Sequence, residues 1–341
     1  MLRDALRKVA AGEALTEGEA ERALGTIMEG TVPPAATAAL LTAMRLRGES
    51  VTEIVGFARA MRRFAETVEA PEDVVDTCGT GGDAKGTINV STAAAFVGRG
   101  AGVTIAKHGN RAATSQAGSA DVLEALGAEI ELGPEQVSKC IAASGIGFMF
   151  ARTHHPAMRF VAPVRAELPF RTIFNLLGPL TNPAGAKRQL IGVFDRTYVR
   201  PVAETLAELG AEKALVVHGK DGMDEITVTA ETSVAEVRGG EIKEYETSPE
   251  DFGLSRHAPD GLLGGDAHLN ARILRDVLSG KERGAARDII LLNAAAAIYV
   301  ADEAESLKEG VALAGNSLES GAASEALEDF VKTTRRLSGA I

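Results

Sequence analysis

The chain has 341 residues, 45% of them apolar and 24% charged, the composition of a folded globular protein of about two domains rather than a disordered or fibrous one. Aromatic residues make up only 4%, Trp is missing and the net charge is −11, so neither stacking platforms nor a general basic surface is available for nucleic acid. Two cysteines far apart, Cys78 and Cys140, argue against a disulfide framework or a zinc ribbon; with no signal-like apolar stretch and no run of about eighteen apolar residues, a cytoplasmic chain without a membrane span is expected.

The first seventy residues read as helices. Thr16 with Glu19, and Ser50 with Glu53, have capping-box spacing, Pro33-Pro34 opens a helix running to Arg47, and Ile54, Phe57, Ala58, Met61 and Phe64 recur at helical intervals. Thr67 to Asp73 reads as a linker. Beyond it, β-type runs (VVDTC, GVTIAK, GIGFMF, QLIGVF, ALVVHG) alternate with helical stretches. That alternation predicts an α/β fold with a mainly parallel central sheet covered by helices. A hairpin turning at Gly239-Gly240 follows, and from Asp266 onward the pattern is helical. The expected organisation is a small helical domain over 1–70 and a larger α/β domain over 74–341.

The segment Asp76-Thr77-Cys78-Gly79-Thr80-Gly81-Gly82-Asp83 lies between an apolar strand and the helix start Ser91-Thr92-Ala93. Strand, glycine loop and helix form a phosphate-binding arrangement, because glycines let the backbone approach an anion and the helix start presents free N–H groups. A Walker loop is excluded by the order Lys85-Gly86-Thr87. A dinucleotide fingerprint fits Gly79-x-Gly81-x-x-Ala84 but lacks the ribose acid, since no Asp or Glu occurs between Asp83 and Asp121. From Ala84 to Ala120 there are no acids at all, and the window to Phe194 is net positive in an acidic chain. An anionic small molecule suits that window.

Further blocks follow in order: Asn89-Val90-Ser91-Thr92, Lys107-His108-Gly109-Asn110-Arg111, Ser115-x-x-Gly118-Ser119-Ala120-Asp121, His154-His155-Pro156-Ala157-Met158, the run from Phe174 to Pro183, Asp224-Glu225, and a late Asn293 followed by four alanines. Together with the glycine loop they resemble the anthranilate phosphoribosyltransferase family over nearly the whole chain. The resemblance implies transfer of a phosphoribosyl group from 5-phosphoribosyl 1-pyrophosphate (PRPP) to the amine of anthranilate, with release of pyrophosphate, in tryptophan biosynthesis. It also implies a homodimer joined through the helical domain, of which part of 165–185 is a further candidate portion. The similar pyrimidine nucleoside phosphorylases are typically longer and carry a different loop here, and a non-catalytic relative should have lost parts of the loop or of the acidic pair.

Carried over residue by residue, the resemblance assigns PRPP to Gly79, Gly82, Asp83, Thr87, Asn89, Val90, Ser91, Thr92, the segment Lys107, His108, Gly109, Asn110, Arg111, Ala112, Ala113, Thr114 and Ser115, and Ser119. Anthranilate falls to Gly79, Asn110 and Arg165, with His108 and His155 as further candidates for its pocket. Magnesium, the implied cofactor, falls to Asp224, Glu225 and Ser91. Adjacent carboxylates serve one ion only at a turn or strand end, which Gly222 permits. An aryl amine is already neutral at pH 7, so the expected chemistry is positioning and charge stabilisation, with no general base assigned. Asp83 is a candidate for a minor role in proton removal.

Overall fold

The structure, a computed structural model, describes residues 2–112 and 116–340. The first unit consists of helices α1 (Leu2–Ala10), α2 (Glu17–Met28), α3 (Pro34–Arg47) and α4 (Val51–Arg63). Both expected capping boxes form: Thr16 and Ser50 accept from the amides of Glu19 and Glu53, whose carboxylates reach back. Such a cap contributes about 1 kcal/mol. Glu53 does more than cap. Its buried carboxylate also accepts the Leu15 amide at 2.9 Å and pairs with the Arg47 guanidinium, which fastens the turn before α2 to the start of α4.

The larger unit is built on one seven-stranded sheet: β1 (Val75–Asp76), β2 (Ile105–Gly109), β3 (Ile146–Phe150), β4 (Arg188–Gly192), β5 (Lys213–Gly219), β6 (Thr232–Arg238) and β7 (Glu241–Thr247), in the order β3-β2-β1-β4-β5-β6-β7. The first five strands are parallel, and β6 and β7 add an antiparallel hairpin that turns at Gly239-Gly240. The apolar run Val74 to Cys78 contributes only two residues to the ladder, because the chain leaves it at Thr77 to form the glycine loop. Chain order reverses at β1, with β2 and β3 on one side and β4 and β5 on the other. In such sheets a crevice opens beyond the carboxyl ends of the strands at the reversal, here β1 and β4.

Strand β5 shows how the sheet is covered. Leu215 and Val217 enter a core shared with α5 (Val90–Gly100), α12 (Ala267–Leu278), α13 (Ala285–Val300), α14 (Leu307–Glu319) and α15 (Ala322–Ser338); Ala214 and Val216 enter one shared with α1 to α4 and α11 (Val199–Glu208). The period of two along the strand therefore assigns one sheet face to each set of helices. Two more helices follow β2 in the chain, α6 (Ser119–Ala125), which packs on α12, and α7 (Pro134–Ser144), which packs on β3 and α15.

Between β3 and β4 lie three short helices, α8 (Ala151–His154), α9 (Ala162–Glu167) and α10 (Phe174–Leu180). Each is too short to show a helical period in sequence. They are held by tertiary contacts: α9 packs on α3 and α10 on α4, Arg62 Nε donates to the Leu180 carbonyl at 2.9 Å, and the Glu66 amide to that of His154 at 2.8 Å. Among the described residues no helix is long and apolar enough to cross a membrane.

Candidate active site

The glycine loop lies at the crevice between β1 and β4. Gly81 and Gly82 have φ of +64° and +79°, which L side chains rarely adopt, and Ala84 ends the loop strained at φ +59°. The Thr80 amide donates to the Gly192 carbonyl at 2.8 Å and the Phe194 amide to Thr80 Oγ1 at 3.0 Å, so the loop is fastened to the end of β4. Gly192 itself permits the next contact: a Cβ there would lie 1.5 Å from the backbone oxygen of Asp224. Gly79 is equally confined, with Asp224 Oδ2 at 2.9 Å from where its Cβ would sit. Asp224 Oδ2 accepts the Gly81 amide at 2.7 Å. The amides of Gly82 and Asp83 have no partner among the described residues and remain available to an anion.

Asp224 and Glu225 sit in the irregular segment between β5 and β6, outside any strand, as their shared use requires. Asp224 is buried and Glu225 half-buried. Burial, and then the charge of Asp83, push Asp224 up to about 7. Glu225 is raised well above the usual carboxylate range by burial and by Asp224, against the opposing pull of Lys107 and a hydrogen bond from the Ser91 backbone. These carboxylates thus converge beside one ammonium. Binding a pyrophosphate here would add further negative charge, so the donor set calls for a cation. Among the described residues there is no cluster of three or more His, Cys, Asp or Glu that would enclose an ion. Two carboxylates and the nearby Ser91 hydroxyl instead fit magnesium, which takes few protein oxygens and completes its shell with water and phosphate.

Lys107 is not a solvated lysine. It is 3% exposed, and its ammonium donates to the Thr77 carbonyl at 2.8 Å and to Ser91 Oγ at 3.2 Å. Beneath it Asp76, fully buried, accepts the His108 amide at 3.1 Å and the Asn182 side chain at 2.7 Å; burial raises its carboxyl to about 6 although Lys107 pulls it down. Thr77 Oγ1 donates to the Ser91 carbonyl at 3.0 Å, which fixes the start of α5 over the strand. Val90 is buried, so its side chain belongs to the core, while Thr92 Oγ1 is buried without a partner among the described residues. Asn89 donates to the Ala117 carbonyl and accepts from Asn270 on α12, and Thr87 bridges to Leu263.

The segment after β2 is held by Asp121, which accepts the amides of Ala112 at 3.0 Å and Gly118 at 2.8 Å. Asn110 accepts Ser119 Oγ at 3.2 Å on its backbone oxygen, and the absence of a Cβ at Gly109 makes room for that hydroxyl. Arg111 is committed to Asp121 and Glu124, at 2.9 and 2.5 Å, so its charge is already partnered. Ala113, Thr114 and Ser115 lie outside the described residues.

On the other side of the crevice, α10 connects the candidates for the aromatic acid. Arg165 lies with its guanidinium 5.6 Å from the centre of the Phe174 ring. It forms no ion pair with any described residue, and burial lowers its pKa. One turn beyond Phe174, the Gly178 carbonyl contacts His108 Nδ1 at 3.1 Å, and the His155 ring is 5.0 Å from that of His108. Both imidazoles are buried, with no partner for Nε2 among the described residues. Burial and mutual proximity drive His108 well below its ordinary value, and burial, with His154, takes His155 to about 4. Both are therefore neutral at pH 7. Arg171, which sequence alone does not separate from an ordinary ion-pair residue, stacks 4.2 Å from the Phe194 ring centre and donates to the Gly82 carbonyl, bracing the loop.

Known proteins share this architecture. The α/β domain of a glycosyl transferase family matches residues 71–324, and the helical bundle domain of the same family matches residues 3–65. The chain is 80% identical over 339 residues to the anthranilate phosphoribosyltransferase of Rubrobacter xylanophilus, covering 99% of each. The crystal structure of anthranilate phosphoribosyltransferase from Thermus thermophilus superposes with a TM-score of 0.93 at 49% identity, over 97% of this chain and 99% of that one. The Saccharomyces cerevisiae enzyme, solved in complex with PRPP and Mg, superposes at 0.89 with 29% identity over 98% of each chain. The same yeast enzyme has also been solved with 4-fluoroanthranilate.

Proposed function

The chain belongs to the anthranilate phosphoribosyltransferase family of glycosyl transferases, and from this premise we propose how its residues divide the reaction. The enzyme transfers the phosphoribosyl group of PRPP to the amine of anthranilate, giving N-(5-phosphoribosyl)anthranilate and pyrophosphate in tryptophan biosynthesis, with magnesium as cofactor. The amides of Gly82 and Asp83, the start of α5 and the Lys107 to Ser119 region hold the phosphoribosyl pyrophosphate. Asp224, Glu225 and Ser91 hold magnesium, which supplies positive charge against the departing pyrophosphate. Arg165 receives the anthranilate carboxylate, with Asn110, Gly79 and the neutral imidazoles of His108 and His155 around the ring. Displacement at the ribose C1 then rests on positioning and on preorganised charge, and the amine loses its proton after attack.

The observation that carries this division is the placement of Asp224 and Glu225 against a glycine loop at the chain reversal of the sheet. Its test is anthranilate consumption, followed by fluorescence, with PRPP and magnesium supplied. No consumption by folded protein would reject the assignment. The same assay carries a pH signature. Because the folded carboxyl of Asp224 is raised to about 7, protons compete with the cation below that value. The magnesium concentration for half-maximal rate should fall from about pH 6 to about pH 8, by up to about tenfold per pH unit below the pKa. A flat dependence removes Asp224 from the ion.

The finer reading is a cytoplasmic homodimer formed through the helical unit. Leu46 on α3 is 84% exposed and Phe160, packed against Gly30 beside α2, is 38% exposed, and apolar side chains of this size on one unit favour burial against a second copy. The two cysteines are buried and unbridged, as a reducing compartment allows. Light scattering should give twice the chain mass. A fully active monomer would overturn the dimer.

A further inference from the structure

A second cleft, of about 870 Å³, opens between the C-terminal half of α12, one side of α15 from Ser324 to Arg335, and the end of α6. Five basic side chains line it: Arg272, Arg275, Lys281, Lys332 and Arg335. None of the five forms an ion pair with any described residue. What sets the cleft apart in a chain of net charge −11 is that these bases gather around one concavity, whereas Arg111, Arg200, Lys213 and Arg256 are each held by acids. Arg275 is also fixed in place, since one of its N–H groups donates to the Leu126 carbonyl at 2.8 Å and so orients the guanidinium along the cleft wall.

Between the charges the cleft is apolar, with Leu126, Leu278, Leu327 and Val331 in its lining. Two acids, Asp276 and Glu328, also line it, leaving an excess of three positive charges. The acids interrupt the basic track that a nucleic-acid backbone would need, and the volume falls within the range of small-molecule sites, roughly 300 to 1,000 Å³. The cleft is separate from the crevice of the sheet. The ends of α12 and α6 that face the phosphoribosyl loops carry Asn270 and Ser119, whereas the cleft takes the opposite ends of both helices.

We propose that this cleft is a binding site for a small organic anion with two or more negative charges on an apolar body. The guanidinium and ammonium groups take its carboxylate, phosphate or sulfonate oxygens, and the leucines and Val331 cover its hydrocarbon part. Arginine suits this use because its planar fork binds such oxygens in pairs and stacks on flat apolar groups.

The test uses the whole enzyme and the dianionic dye bis-ANS, whose fluorescence rises on entering an apolar site. Titrations are run with the substrate crevice filled by anthranilate, magnesium and pyrophosphate, and repeated without them. Wild-type protein should bind one dye per chain in both conditions. Reversing two charges in Arg272→Glu/Arg335→Glu should weaken that binding by about tenfold or more, and Arg272→Gln/Arg335→Gln by a smaller factor. Turnover should equal wild type in both variants, which also certifies their folding. Sodium sulfate should compete more weakly than an aromatic disulfonate at equal ionic strength. Unchanged dye affinity in the charge-reversed protein overturns the proposal, as does complete displacement of the dye by the crevice ligands. Equal competition by sulfate overturns the apolar half of the assignment.

Discussion

Asp224→Asn/Glu225→Gln is expected to lower turnover by about a thousandfold or more while leaving the fold intact, because a cation that stabilises a departing pyrophosphate lowers the barrier by several kcal/mol. The packing of the site makes this a clean substitution. The amide oxygen that Asp224→Asn introduces can still accept from the Gly81 N–H, so the loop contact at 2.7 Å need not be lost. Stability then supplies an independent readout. Both carboxyls have folded pKa values raised above their unfolded ones. Their protonated forms therefore favour the folded state at low pH, and for Asp224 that contribution disappears as pH rises from about 4 through about 7. The amides do not titrate. In the absence of magnesium the double variant should accordingly melt above wild type at about pH 8 and converge with it at about pH 4. Full turnover in the double variant would remove both residues from the ion, and a lower melting temperature at high pH would show that the carboxylates serve the fold.

The residues most legible in the sequence are those whose chemistry is local. The glycine loop, the Lys107 to Arg111 run and the Asp224-Glu225 pair are contiguous, and a strand followed by glycines and a helix start has one ready use whatever surrounds it. Capping boxes are legible for the same reason, since Thr16 with Glu19 and Ser50 with Glu53 act across three residues. What the pattern does not carry is the support brought from afar. Arg171 reaches Gly82 across 89 positions, Asn182 reaches Asp76 across 106, and Asn270 reaches Asn89 across 181. No periodicity encodes those separations. The burial of Lys107 is similarly hidden, because a lysine in a strand reads as surface until the sheet order places β2 between β1 and β3 and turns its ammonium under Ser91. Arg111 shows the converse: its motif marks it as an anion ligand, while Asp121 and Glu124 already hold its guanidinium.

The second large effect is expected at Arg165, where alanine should reduce the anthranilate specificity constant by roughly ten- to two-hundredfold, the equivalent of a charge-assisted hydrogen bond of about 1.5 to 3 kcal/mol. The KM for PRPP should change far less. The physical ground is an unbalanced charge. Arg165 is held against Phe174 in a partly buried position, burial disfavours its charged form, and no carboxylate of the described residues answers it. A guanidinium in that state is relieved by a ligand carboxylate, which its fork can take bidentately. Arg165→Lys keeps the charge without the fork and should recover only part of the loss. Stability separates this role from a structural one. A structural ion-pair residue would lower the melting temperature and weaken both substrates together, whereas removing an unpaired, desolvated charge should leave the melting temperature unchanged or raise it. Steady-state kinetics with each substrate varied in turn, beside a melting curve, distinguish the two: equal losses for anthranilate and PRPP with a lowered melting temperature would take Arg165 out of the anthranilate site.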